Sequence, residues 1–465
     1  MGITEYIRIR LQSLKGTLVK HTPIERPSSY GCVGGHIGRR DFLRVGSLTG
    51  LGVSLSQYLK LSTTLAAASA KAQSCILIWC PGGPSQVDTW DPKSNSSFKP
   101  ISTNVPGIQI SELLPRTAQH MDKLSIVRSM QTEEDNHPQG TYYALTGQRP
   151  NPAMKFPSFG SIITKEMGAV NQVPPHILVP QWKKERQYEK YFESAFLGPE
   201  YNPMLVPDPS EAGFEVADVS LPKSFTAERL EDRLGFRKIW DHYYRQRVEF
   251  SEFADMDSFQ RQALSMVLSP EVREAFDLSQ ESEKTKDAYG RDPVGQSVLL
   301  ARRLVEAGSR FVSAAGFNAT PGWDTHGDND KRHGEFLVPT LDRCLSTLLE
   351  DLDQRGLLDS TIVIAMGEFG RTPHMNPAFG RDHWWHCWSL VLGGGGIQGG
   401  QVIGASDDQG AYIVGERVTM GDIFATIYKA FGIDWTKEYL HPIGRPIKIA
   451  NAIGGLTGQP IKGLV

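Results

Sequence analysis

Short apolar runs without polar alternation recur along this chain, each closed by glycine or a polar loop, and such runs mark strands buried on both faces. Ser74–Cys80, Leu124–Arg128, Ile177–Val179, Phe311–Ala314, Thr361–Met366 and Trp388–Leu392 have this form. Segments of helical period lie between them, at Ser111–Ser125, Phe159–Met167, Gly295–Gly308, Phe336–Gly356 and Asp422–Phe431. Phe336–Gly356 is the clearest, with Leu337, Leu341, Leu345, Leu348, Leu349 and Leu352 on one side and Gly356 as its stop. Strand, helix and strand over 310–366 make a βαβ unit, whose crossover requires a parallel sheet with helices on its faces. The predicted class is therefore α/β, and Ile447–Ile453 closes the fold. Between Gln181 and about Lys284 glycine becomes scarce and helical period recurs at Ala227–Tyr244, Phe259–Leu268 and Val272–Phe276. That stretch reads as a mostly helical insertion at 181–284, either a cap over the site or an elaborated outer layer.

The amino terminus changes this picture. Residues 1–70 carry nine Lys or Arg against three Asp or Glu, so the formal charge of −3 conceals a balance of 40 against 49 in the remainder. Gly38-Arg39-Arg40-Asp41-Phe42-Leu43-Arg44 sets two adjacent arginines before the weakly apolar Val45–Leu59, the pattern of a twin-arginine export signal. Ala68-Ser69-Ala70 has the small residues a signal peptidase accepts, which puts the start of a mature domain near Lys71. Residues 1–70 are thus expected to be a leader and 71–465 a single domain, exported to the periplasm or cell envelope. Gln57 and Lys60 interrupt the apolar segment and argue against a stable transmembrane span. A chain of 465 residues, 40% hydrophobic and 22% charged, can bury a large core. No basic face or interleaved aromatic platform marks a nucleic-acid partner. Cys75, Cys80, Cys344 and Cys387 match no zinc-finger or redox spacing and read as buried thiols.

Candidate chemistry gathers in the loops after the predicted strands, where open α/β sheets bind ligands. After Cys80 come Pro81-Gly82-Gly83, whose glycines allow a ligand close to the backbone, and then Ser85 and Asp88. Asp88 offers a metal ligand; alternatively, it and Ser85 cap a turn. After Arg128 the polar run 130–141 contains His137 and Thr141, and it suits either an active-site wall or a solvent-facing turn. After Ala314, Asp324 and His326 stand two residues apart in a Gly-bounded loop, able to turn toward one cation. After Met366 come Glu368 and Arg371, then Asp382-His383; Glu368 and Arg371 also read as a pair that fixes the loop.

Taken together, the twin-arginine leader, GGPSQVDTWDPK, DNHPQGTYYALTG, GWDTHGDN and GEFGRTP followed by GRDHWWHCWS resemble family 1501 of the domains of unknown function, exported bacterial proteins. The resemblance runs from Arg39 onward. That family looks like a branch of the alkaline phosphatase and sulfatase superfamily, which implies a three-layer sandwich with a mainly parallel sheet and a metal-assisted site at the strand ends. Counting back from Leu145-Thr146-Gly147 puts His137 at the nucleophile position of sulfatases and Thr141 where their arginine stands. Their strand-end Asp-His-Gly falls on Glu368-Phe369-Gly370, so the carboxylate is kept and the histidine is not, and no Cys or Ser is placed for formylglycine. The resemblance implies a hydrolase of sulfate or phosphate esters, on polysaccharides or small esters. A divalent cation, Zn²⁺ or Ca²⁺, would sit among Asp324, His326, Glu368, Asp382 and His383, with Asp88 and Ser85 at the wall. Arg371 would steady an ester oxygen and His137 would act as general acid/base. The alternative is a superfamily member without catalysis that binds glycans or envelope partners.

Overall fold

The computed structural model describes residues 71–182, 186–219, 266–319 and 322–465. The expected leader and the periods at 227–244 and 259–265 lie outside the described residues. The apolar runs form one eight-stranded sheet: β1 (Ser74–Trp79), β2 (Leu124–Met130), β3 (His176–Val179), β4 (Met204–Leu205), β5 (Phe311–Ala314), β6 (Thr361–Met366), β7 (Trp388–Gly393) and β8 (Val402–Ile403). Their spatial order is β8-β2-β7-β6-β1-β5-β3-β4. β7 runs antiparallel to both its neighbours and the other pairings are parallel.

Alternate residues of each central strand face opposite layers, as the pleat requires. Ile76 and Ile78 of β1 pack with α3 (Pro293–Glu306) and α4 (Val338–Gln354), which are buried through Val298, Leu299, Leu341, Leu345 and Leu348. Cys75, Leu77 and Trp79 face α1 (His137–Thr146), α2 (Phe159–Met167) and α5 (Met420–Phe431). The result is the three-layer α/β sandwich with a mainly parallel sheet that the sequence predicts. β5 and β6 are not adjacent, because β1 lies between them, so the α4 crossover spans one strand.

One expectation changes. No helix forms over 111–125; a strand at Gln109–Ser111 pairs with Pro100–Ser102, and a single 3₁₀ turn follows at Thr117–His120. Pro115 explains this, since it lacks an N–H and drives its predecessor out of the helical region. The apolar periodicity there is still used, with Leu114, Ala118, Met121 and Leu124 all buried. Among the described residues of 181–284, the main sheet continues as far as Leu205, and helix forms at 266–268, at Pro270–Phe276 and from Glu283. Cys75, Cys80, Cys344 and Cys387 are buried free thiols. Among the described residues no helix is long and apolar enough to cross a membrane.

Candidate metal centre

The loops that leave β1, β5 and β6 meet at one edge, and glycine permits it. Gly82 and Gly83 have φ of 103° and 83°; a Cβ on Gly82 would stand 2.3 Å from the Asp324 amide nitrogen, and one on Gly83 2.4 Å from the Phe369 carbonyl. These glycines were expected to admit a ligand. They admit the neighbouring loops instead, which they hold by hydrogen bonds from Gly82 N to Glu368 Oε1 (2.8 Å) and from Trp323 N to the Pro81 carbonyl (2.8 Å). His137 opens α1 behind the cap Asn136, whose side chain accepts from Gln139 N. His383 reaches the same edge because β7 runs backwards: it precedes that strand, in a two-residue ladder with Gly370–Arg371.

A continuous polar network results. Glu368, only 1% exposed, accepts from His137 Nδ1 at 2.7 Å. His326 Nδ1 donates to Asp382 Oδ1 at 2.6 Å, and His383 Nδ1 donates to the Asp135 carbonyl at 2.5 Å. Carboxylates and carbonyls only accept, so each Nδ1 carries the hydrogen and each neutral ring keeps its lone pair on Nε2. Those three Nε2 atoms turn toward Asp324. His326 and His383 Nε2 lie 3.1 and 3.3 Å from its Oδ1 and 3.1 Å from each other, and His137 Nε2 lies 3.3 Å from its Oδ2. His137 Nε2 is buried and has no aligned hydrogen-bond partner despite that proximity.

Acceptors that face acceptors need a proton or a cation between them. In the cation-free protein a proton serves: burial would lower the His137 pKa, but the Asp324 and Glu368 carboxylates beside it outweigh that and carry it to about 9. Burial would likewise raise the Asp324 carboxyl, yet His137 and His383 beside it and the Arg371 charge hold it far below the usual range. The residues also fit a metal. Donor atoms of His137, Asp324 and His383 all lie within 4.8 Å of one another, and His326 joins on the open side. Tetrahedral bonds of about 2.0–2.1 Å separate ligand atoms by roughly 3.3 Å, close to the spacings found. Each histidine has the outer hydrogen bond that metal-bound imidazoles show.

The remaining candidates fall elsewhere. Arg371 is fully buried and donates to Asp324 Oδ1 (2.7 Å) and to the carbonyls of Gly83 (3.1 Å), Arg381 (3.1 Å) and Gly82. It therefore fastens the loops and Asp324 through four of its five N–H groups. Asp88 lies in a separate buried pair with Arg381 (2.8 Å), with Ser96 and Asn329 donating to its oxygens. Burial would raise its carboxyl, and Arg381, His333 and the Ser96 hydroxyl bring it below the usual range. It is no ligand of the cluster. Ser85 is buried at the same turn, and its carbonyl accepts from Thr89 Oγ1 at 2.7 Å. Thr141, one turn along α1 from His137, is buried outside the network that links Glu368 to Asp382. Sequence reasoning missed the Asp135 carbonyl, since any residue supplies one. It also missed Arg332, which donates to the Asp324 carbonyl at 2.6 Å.

The family model described as "Protein of unknown function (DUF1501)" matches residues 72–464. The chain belongs to this family. No curated protein sequence matches it. Solved structures similar to this DUF1501 chain include the lipoteichoic acid synthase LtaP from Listeria monocytogenes, at 9% identity and a TM-score of 0.38 over 82% of this chain and 75% of that one. The PsFucS1 sulfatase from Pseudoalteromonas sp. is similar at 14% identity and a TM-score of 0.34, over 80% and 70%. The phosphonate monoester hydrolase SpPMH from Silicibacter pomeroyi is similar at 10% identity and a TM-score of 0.32, over 78% and 74%.

Proposed function

We propose that this protein is a metal-dependent hydrolase of sulfate or phosphate esters, on a polysaccharide or a small molecule, that works in the periplasm or cell envelope after twin-arginine export. The observation that carries the reading is the set of imidazole lone pairs turned on Asp324, with every Nδ1 already committed. Asp324, His137 and His383 would hold the cation. Imidazole donors suit Zn²⁺ and do not suit Ca²⁺, which takes six to eight oxygens. When bound, the cation would supply Lewis acidity toward an ester oxygen and a more acidic water.

The chain's own groups prepare that site. Glu368 fixes the tautomer and the ring plane of His137, so His137 serves as a ligand in place of the acid/base role expected for it. Arg371 orients Asp324 from below. His326 stands half exposed on the open side with Asp382 behind it, placed to exchange a proton with solvent or a leaving group. One observation favours a second reading, a non-catalytic protein that binds glycans or envelope partners. The guanidinium of Arg371 is spent on internal acceptors, and neither Ser85 nor Thr141 enters the network as a nucleophile.

The test is zinc content and hydrolysis of 4-nitrophenyl sulfate and 4-nitrophenyl phosphate by the exported protein, beside Asp324→Ala and His383→Ala. Each variant should lose zinc and hydrolysis together while its circular dichroism stays unchanged. Zinc without turnover would leave the binding reading, and wild-type protein that takes up no metal would sink the proposal.

A further inference from the structure

Two cavities share a wall beside α1. One, of about 640 Å³, begins at Pro138 and Gln139, the residues directly after His137. The other, of about 700 Å³, continues to Arg445, Lys448 and Asn451. Arg149, Asn151 and Met154 line both, so the two form one groove. Each half alone is as large as an ordinary small-molecule site of about 300–1,000 Å³, so their union suits an oligomer better than a single small ligand.

The lining says what kind of oligomer. Tyr142 and Tyr191 meet edge to face at 5.4 Å and supply a flat apolar wall, held in place where the Phe156 amide donates to the Tyr142 hydroxyl. Gln139 lines the start of the groove, and its Oε1 is buried with no hydrogen-bond partner. Arg445 and Lys448 offer cations at the far end, while Glu133 and Glu438 line the same half. A uniform polyanion would meet those carboxylates, whereas a chain with hydroxyls and spaced negative charges satisfies both kinds of group.

We propose that this groove binds an acidic oligosaccharide, its esterified unit presented at the metal centre and its neighbouring units running from Gln139 to Lys448. The proposal rests on the hydrolase reading for its direction, and its test does not depend on turnover. The full-length exported protein is run in affinity electrophoresis against galactan oligosaccharides with one sulfate per disaccharide, the same oligosaccharides after desulfation, and polyglutamate. The sulfated sugar should retard it most, the desulfated sugar less, and polyglutamate least. Arg445→Ala with Lys448→Ala should weaken the sulfated sugar about tenfold and leave the desulfated sugar and the hydrolysis of 4-nitrophenyl esters unchanged. Asp324→Ala should keep sugar binding. Equal retardation by polyglutamate, no retardation by any sugar, or loss of sugar binding in Asp324→Ala would each overturn the groove. Failure of zinc uptake or turnover with retained, Arg445- and Lys448-dependent binding would instead count against the hydrolase.

Discussion

Asp88 with Arg381 and Asp324 with Arg371 are the same two residue types, set in loops at the same edge of the sheet, yet they are put to opposite uses. Around Asp88 donors match acceptors: Arg381 contributes two N–H groups, and Ser96 and Asn329 contribute one each. Both charged side chains are fully buried. Around Asp324 acceptors are in surplus, because three imidazole lone pairs join its own, and its side chain is 41% exposed. A closed pair is structural. An open set of acceptors is a candidate cation site, and the difference lies in that count and not in residue identity.

The largest expected effect separates the two carboxylates by stability. Arg381→Ala leaves Asp88 charged and unpaired in the interior, and should cost about 3–5 kcal/mol in urea unfolding. Asp324→Asn in metal-free protein should cost clearly less, since its side chain is partly solvated and Arg371 keeps its carbonyl acceptors. Equal losses would erase the distinction. Next in size, Glu368→Gln should weaken zinc binding about 10–100-fold in a competition titration, through loss of the carboxylate behind His137. An unchanged affinity would remove Glu368 from the centre.

The smallest effect is read from pH. The folded pKa of His137, about 9, lies above the ordinary 6.5, so its stabilisation of the metal-free protein is complete below about pH 6.5 and is lost as pH climbs through about 9. The melting temperature of the metal-free protein should fall across that window, and His137→Gln should remove this part of the fall. Zinc must displace the same proton, so zinc affinity should rise roughly tenfold per pH unit below about pH 9. Calorimetry in buffers of differing ionisation enthalpy would count the proton released.

Much of the fold was legible because its central strands are continuous apolar runs and α4 carries an unbroken leucine face. The 111–125 helix was misread because the spacing of Leu114, Ala118 and Met121 serves a 3₁₀ turn equally well once Pro115 interrupts it. Asp324, His326, Glu368 and His383 could be named from loops that follow strands. Their division of labour could not, because it depends on which ring nitrogen meets an acceptor, and one of those acceptors is a main-chain carbonyl. Asp88 was indistinguishable from Asp324 until Arg381 was found against it. Arg371 was assigned to the substrate because sequence gives no sign that neighbouring carbonyls would use its donors.

β6 and β7 are adjacent antiparallel strands, so everything from 367 to 387 is one long hairpin connection. Glu368, Arg371, Arg381, Asp382 and His383 all ride on it, and only Asp324, His326 and His137 come from elsewhere. Much of the chemistry is therefore inherited as one contiguous cassette on a scaffold of two neighbouring strands. The cassette closes locally, but docking it on His137 and Gly82 joins residues 231 and 286 positions apart, so completion of the centre waits on the long-range pairing of the sheet.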